Sequence, residues 1–259
     1  MLTSERHAKI LNMLKKHRAV TTGEIMEKFN VSPETVRRDF MALEKAGSLC
    51  RVHGGAVSVG NMKEFNPFEK RITENDKQKE ELSQIAADFI EDGDIIAIDA
   101  GSTAVFFANA IKDKFSRLTV VTHSLDVLNI LSKQEGIEVI LCGGQYMKNE
   151  NCCHGDLVCD ALNNLRVNKA FIFPLSISLG FGLGENSPEL ARVQKKMISA
   201  AKDVYLLADS SKFEKTALYK TGDVRSEYVY ITDSAIDNEI ASIYYENGFN
   251  IITERECKN

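Results

Sequence analysis

Seven short apolar runs, alternating with stretches of helical spacing, constrain this chain more than any other feature. They are Ile95-Ile96-Ala97-Ile98, Leu118-Thr119-Val120-Val121, Val139-Ile140-Leu141, Ala170-Phe171-Ile172-Phe173, Val204-Tyr205-Leu206-Leu207, Tyr228-Val229-Tyr230-Ile231 and Phe249-Asn250-Ile251-Ile252. A strand that is apolar throughout must be covered on both faces. Intervening helices supply that cover, so the pattern predicts an α/β domain built on a mostly parallel sheet. The first of its helices opens at Asp76, carries Leu82, Ile85, Ala86, Phe89 and Ile90 on its inner side, and ends at Asp92-Gly93. Others are expected after Thr103 and around Leu125–Leu131, Leu157–Leu165, Pro188–Ala201 and Ile236–Tyr245.

Residues ahead of this domain follow a different pattern. Ile10, Leu11 and Leu14 form an apolar stripe, and Thr21 to Glu24 reads as a capping box opening a second helix with Ile25, Met26 and Phe29 inside. Asn30-Val31 makes a tight turn. Ser32 then caps a third helix, Pro33 suits its first turn, and Gly47 ends it. At about 100° per residue, Val36, Phe40 and Leu43 share one side, while Arg38 points away from them with Glu34, Thr35, Met41 and Ala42 nearby. This order is a helix-turn-helix, whose last helix enters a major groove. Ser48 to Val57, two extended pieces around Gly54-Gly55, reads as a hairpin wing. The chain therefore divides into a winged helix-turn-helix head at 1–57, a linker at 58–75 marked by Gly60, Asn61, Asn66, Pro67 and Asn75, and the α/β domain at 76–259.

Charge follows the same division. The first 60 residues carry ten basic against six acidic side chains and the remainder 22 against 31, within a formal net charge of −5. A cationic head on an anionic body suits contact with nucleic-acid phosphates through the head alone.

Ligands of open parallel sheets sit beyond the carboxyl ends of the strands. Here those positions hold Asp99-Ala100-Gly101-Ser102-Thr103, Thr122-His123-Ser124, Gly143-Gly144 and Asp209-Ser210-Ser211-Lys212. Small and hydroxyl residues let backbone N–H groups approach an anion, a following helix adds its positive end, and Lys212 adds a full charge. The candidates are Asp99, Gly101, Ser102, Thr103, His123, Ser124, Gly143, Gly144 and Lys212. Plain helix capping by Ser102 and Thr103 fits the same residues.

Val31-Ser32, Thr35-Val36-Arg37-Arg38-Asp39, Leu43-Glu44 and Arg51-Val52-His53-Gly54-Gly55-Ala56 resemble the signature of the DeoR family of bacterial transcriptional regulators. Asp94 to Thr103, Gly143-Gly144 and Leu206 to Phe213 extend that resemblance along nearly the whole chain. It implies a C-terminal domain related to ribose-phosphate isomerases that senses a phosphorylated sugar or similar metabolite. Gly101, Ser102 and Thr103 would cradle the phosphate and Lys212 would pair with the ligand. Two places depart from the family: His123 stands where Asn is common, and Phe173 to Ser178 is bulkier than the usual glycine-containing strand end.

The resulting expectation is a repressor of sugar-metabolism genes whose binding to a double-stranded operator responds to a phosphorylated effector. Glu34, Thr35 and Arg38 would face base edges, and Ser32, Arg37, Arg51 and His53 the phosphates. A homo-oligomer, dimer or tetramer, would present two heads to repeated half-sites. One alternative is an isomerase-like enzyme with an accessory head, for which Glu185 and Glu189 are the available bases. Another is an assembly platform with a vestigial pocket.

No cofactor is expected. The six cysteines lack a disulfide framework, and Cys152-Cys153-His154 with Cys159 lacks the paired spacing of a zinc site, so reduced thiols and no metal are expected. No apolar run spans a bilayer and no leader pattern opens the chain, which reads as cytoplasmic.

Overall fold

The computed structural model describes residues 1–52, 54–58 and 66–253. His53, Gly60, Asn61 and Cys257 lie outside the described residues. The head comprises α1 (Thr3–His17), β1 (Ala19–Thr21), α2 (Thr22–Phe29), α3 (Pro33–Lys45), β2 (Leu49–Val52) and β3 (Gly55–Ser58). Thr21 Oγ1 accepts from the Glu24 N–H at 3.0 Å, and Ser32 Oγ accepts from the Thr35 N–H at 3.3 Å, so both N-caps form, but the Glu24 side chain does not complete the expected capping box and its Oε2 is buried without a partner. Gly47, at φ 67°, turns the chain out of α3 while the Ser48 N–H reaches back to the Leu43 carbonyl at 2.9 Å. Ile10, Leu14, Ile25, Val36, Phe40, Leu43 and Leu49 make the head's core, with Met26 and Phe29 only partly covered. The wing gains a third strand, since β1 pairs with β3 in the order β1-β3-β2. Three residues are too few to show an alternation.

A buried ion pair locks the head. Arg6 on α1 donates through Nε and Nη2 to the Asp39 carboxylate on α3 at 2.5 and 2.9 Å, and His7 Nε2 lies 3.0 Å from the same group. Burial alone would raise the Asp39 carboxyl, but these hydrogen bonds outweigh it and hold it below its ordinary value.

Beyond the head come α4 (Phe68–Arg71), α5 (Asp76–Ala87), β4 (Ile95–Ile98), α6 (Ser102–Ile111), β5 (Leu118–Thr122), α7 (Leu125–Leu131) and β6 (Ile137–Leu141). The chain continues through β7 (Gln145–Met147), β8 (Cys152–His154), α8 (Asp156–Asn163), β9 (Val167–Ile172), β10 (Ser176–Ser178), β11 (Gly182–Glu185) and α9 (Pro188–Ala200). It closes with β12 (Ala201–Leu207), β13 (Tyr219–Gly222), β14 (Val229–Ile231), α10 (Asn238–Glu246) and β15 (Asn250–Ile252). The seven expected strands form one sheet in the order β15-β14-β12-β9-β4-β5-β6, and every pairing in it is parallel. Residues alternate between its faces: Ile96 and Ile98 join the core beneath α5, α6 and α7, while Ala97 joins the core beneath α8, α9 and α10.

The chain runs outward through β4, β5 and β6, then returns to lay β9 on the other side of β4. That reversal opens a crevice at the carboxyl ends of β4 and β9. Two small antiparallel pieces overlie this end, the β7–β8 hairpin and the sheet β10-β11-β13. The glycines that follow the bulky segment, Gly182 and Gly184, lie in the second piece. Gly182, at φ 104°, passes so near β13 that a Cβ would sit 2.2 Å from the Gly222 carbonyl oxygen.

Candidate functional site

The recognition face of the head is open. Ser32, Glu34, Arg37, Arg38, Met41 and Ala42 are exposed on α3, and Thr35 is partly so. Arg37 also borders a wide groove between the head and the body, whose far wall includes Leu179, Val224 and Phe249. Arg51 is tethered: its Nε donates to Glu44 Oε2 at 2.7 Å and its backbone N–H to Glu44 Oε1 at 2.9 Å. That wing cation therefore already has a carboxylate partner.

At the crevice, β4 gives way to α6 through Gly101, whose φ of 132° lies in the region reserved for glycine. An added Cβ would meet no atom within 4 Å, so backbone conformation and not crowding selects glycine there. Ser102 and Thr103 form the first turn of α6, where unpaired N–H groups and the helix dipole favour an anion. Thr103 is 1% exposed, and its Oγ1 has no hydrogen-bond partner. Such a buried hydroxyl costs stability unless something completes it.

These residues wall a small recess together with Lys212, Arg71, Glu150, Glu185, Phe173 and Leu175. It adjoins a second small recess, reached past Asn66, Glu74 and Asn75. Lys212 Nζ stands 3.9 Å from Asp209 Oδ2, and Arg71 pairs with Glu150. Arg71 sits on α4, within the stretch expected to be linker; buried Lys79 donates to the carbonyls of Arg71 and Glu74 and fixes that turn. Glu185 ends β11, and burial pushes its carboxyl up to about 7.

Of the nine expected ligand residues, Gly101, Ser102, Thr103 and Lys212 line the recess. Asp99 and His123 lie behind it as a frame. Asp99 Oδ2 accepts from the Phe173 N–H at 3.2 Å and from Gln194 Nε2 at 2.9 Å, and its Oδ1 lies 3.0 Å from His123 Nε2. His123 Nδ1 donates to the Cys153 carbonyl at 2.7 Å, since a carbonyl can only accept. Both groups are consumed in joining β4, β5, β8, β9 and α9. Ser124 caps α7 through the Val127 N–H at 3.3 Å. Gly143 and Gly144 are exposed after edge strand β6, away from the recess lining, and a Cβ on Gly144 would press to 2.5 Å from the His154 carbonyl oxygen.

The recess touches the head through one turn. Arg18, the αL residue closing α1, donates to the carbonyls of Ser211 at 3.2 Å and Phe213 at 2.9 Å, straddling Lys212. Beside it, Glu214 is fully buried and accepts from the Leu179 N–H, Ser178 Oγ and Tyr244 Oη at 3.0, 3.1 and 2.8 Å. Ala19 and Val57 of the head lie within the body's hydrophobic core.

Among the described residues, one grouping brings three metal-ligating types within 4.8 Å, namely His17, Asp237 and Glu239 at the head–body seam. Cys152, Cys153, His154 and Cys159 do not converge in this way. Among the described residues, no helix is long and apolar enough to cross a membrane.

The family profile for the "DeoR-like helix-turn-helix domain" matches residues 6–61, and that for the "DeoR C terminal sensor domain" matches residues 74–234. The chain is 33% identical to the transcriptional repressor AccR of Agrobacterium fabrum, covering 93% of each protein. It is 32% identical to the HTH-type transcriptional repressor GlcR of Bacillus subtilis, covering 99% of this chain and 98% of that one. The glycerol-3-phosphate regulon repressor of Escherichia coli is 29% identical over 90% of this chain and 92% of its own. A ribose 5-phosphate isomerase from Methanocaldococcus jannaschii matches 54% of this chain and 55% of its own at 18% identity and a TM-score of 0.39, a likeness too remote to bear on activity. With both halves matched in order and relatives aligned end to end, the chain belongs to the DeoR family of helix-turn-helix transcriptional regulators.

Proposed function

We propose that this regulator represses sugar-metabolism genes and releases or tightens on its operator when a phosphorylated sugar occupies the recess beside α6. The observation that carries the reading is the unpartnered Thr103 hydroxyl, buried at a helix N-terminus next to Gly101, Ser102 and Lys212. A phosphate oxygen there would accept from that hydroxyl and from the open N–H groups of the first turn. Relatives named for a glycerol-3-phosphate regulon and for repression agree with it.

Transmission to DNA runs through the turn 209–213. A ligand that draws on Lys212 moves the carbonyls that Arg18 holds, and Arg18 ends the helix locked to α3 by Arg6 and Asp39. The effector must bind the DNA-competent and DNA-incompetent poses unequally, and DNA must then alter effector affinity by the same factor. Two heads of a dimer or tetramer would meet half-sites about one helical turn apart.

The test starts from duplexes selected by the protein out of a random pool. Phosphorylated sugars are titrated into the complex while fluorescence anisotropy is followed, with Arg18→Ala alongside wild type. A sugar phosphate that shifts DNA affinity in wild type and not in Arg18→Ala supports the scheme; no response across the panel sinks it. A second reading, isomerase chemistry, draws on Glu185, a recess carboxyl whose proton affinity lies near neutrality. Turnover of pentose or hexose phosphates by the purified chain would establish it.

A further inference from the structure

The recess holds more acid than a site for a phosphorylated sugar alone requires. Its two cations already have carboxylate neighbours, Arg71 beside Glu150 and Lys212 beside Asp209. Glu185 is the second carboxylate of the lining, and Arg71 acts on it as well. It is 7% exposed, and its one hydrogen-bond donor among the described residues is the adjacent Asn186 N–H, at 2.6 Å from Oε1. Glu150 is 4% exposed, and while its Oε2 faces Arg71, its Oε1 is buried with no partner. Two buried acids thus present acceptor capacity to one cavity whose other side is the first turn of α6, with the unpartnered Thr103 hydroxyl.

A sugar hydroxyl has one hydrogen to donate and could complete only one of those acceptors. A primary ammonium brings three donors and a positive charge on a compact group. We propose that Glu185 and Glu150 form an ammonium subsite, and that the effector is a phosphorylated amino sugar whose phosphate lies at Gly101–Thr103. This rests on the phosphate reading above. Phe173 and Leu175 supply the apolar wall on which the carbon face of the sugar ring packs. Burial first, and then neighbouring Asp99 and Glu150, raise the Glu185 carboxyl to about 7 against the opposing Asn186 N–H and Arg71, which agrees with room for a further cation.

Calorimetry on the full chain near neutral pH tests this, using the 6-phosphates of glucosamine, galactosamine and mannosamine. Each is paired with its hydroxyl counterpart, and N-acetylglucosamine 6-phosphate and inorganic phosphate are included. At least one amine should bind about tenfold or more tighter than its counterpart, and N-acetylation, which removes the charge, should erase the advantage. In Glu185→Gln the ratio should fall to within about twofold; Glu150→Gln serves as the second variant, should narrow it in the same direction, and decides the matter if the first fails to fold. No amine preference in wild type, or an unchanged ratio in the folded variants, overturns the ammonium subsite. If inorganic phosphate and sugar phosphates bind with no such preference, the phosphate reading survives alone. If none of these ligands binds, both fall.

Discussion

The head and the recess place their working groups in opposite ways. On α3, Glu34, Thr35, Arg37 and Arg38 come from five consecutive positions and project into solvent from a helix whose inner face is Val36, Phe40 and Leu43. Around the recess, Arg71, Thr103, Glu150, Glu185 and Lys212 come from five separate elements and are largely buried. The head is a local motif propped by a core. The recess is a product of topology, assembled where the strand order reverses, and its polar groups await completion.

The largest effect should come from breaking the prop. Asp39→Ala leaves the Arg6 guanidinium buried without its partner, a loss of about 3–5 kcal/mol. Hydrogen exchange should then show lost protection in α1 and α3 and abolished DNA binding, with Ile95–Ile98 still protected; uniform loss across both regions would mean that they fold as one unit. Next comes the junction. The Glu214 carboxyl is raised by burial to about 7, so the folded chain holds a proton that the unfolded chain releases. Its stabilising contribution is complete below the unfolded carboxyl value and is lost as pH rises through about 7. Glu214→Gln keeps the acceptors for Leu179 and Tyr244 and should flatten that slope, making the variant relatively more stable than wild type by about 3 kcal/mol at alkaline pH. Parallel pH profiles of thermal unfolding would refute this.

On the exposed side, Arg38→Ala should reduce the preference for selected over random duplex by about 1–3 kcal/mol. Arg51→Ala should weaken both duplexes alike and by less, because Glu44 already holds that guanidinium. Competition binding at fixed salt separates the two; equal effects on preference would erase the distinction between base and phosphate contacts. The smallest effect on stability sharpens the contrast most. Thr103→Val removes an unpartnered hydroxyl with little change of shape, so the ligand-free chain should keep its stability within about 1 kcal/mol. Stabilisation by sugar phosphates should nevertheless shrink. Should ligand protection persist in full, Thr103 has no part in binding.

The contrast also explains what could be read from residue order. Ser32, Pro33 and Gly47 punctuate α3 in sequence, and each strand of the parallel sheet is a contiguous apolar run, so both were legible. Gly101 to Thr103 and Lys212 were legible because strand ends are privileged positions. Arg71 was not, since α4 is a single turn that displays no period. Glu150 lies in a three-residue turn between β7 and β8, and only folding brings it to Arg71. Asp99 and His123 occupy the expected strand ends but turn inward, one layer behind the recess, where Phe173, Gln194 and Cys153 use up their polar atoms. Residue type and position along a strand do not tell which way a side chain finds its partners.

Ala19 and Val57 carry a practical consequence for anyone exchanging parts among such regulators. Because these two head residues complete the hydrophobic interior of the body, the boundary between the modules is a shared wall and not a hinge. A chimera that transplants residues 1–58 onto a foreign sensor would need that wall rebuilt, or its new head would hang loose and answer to nothing.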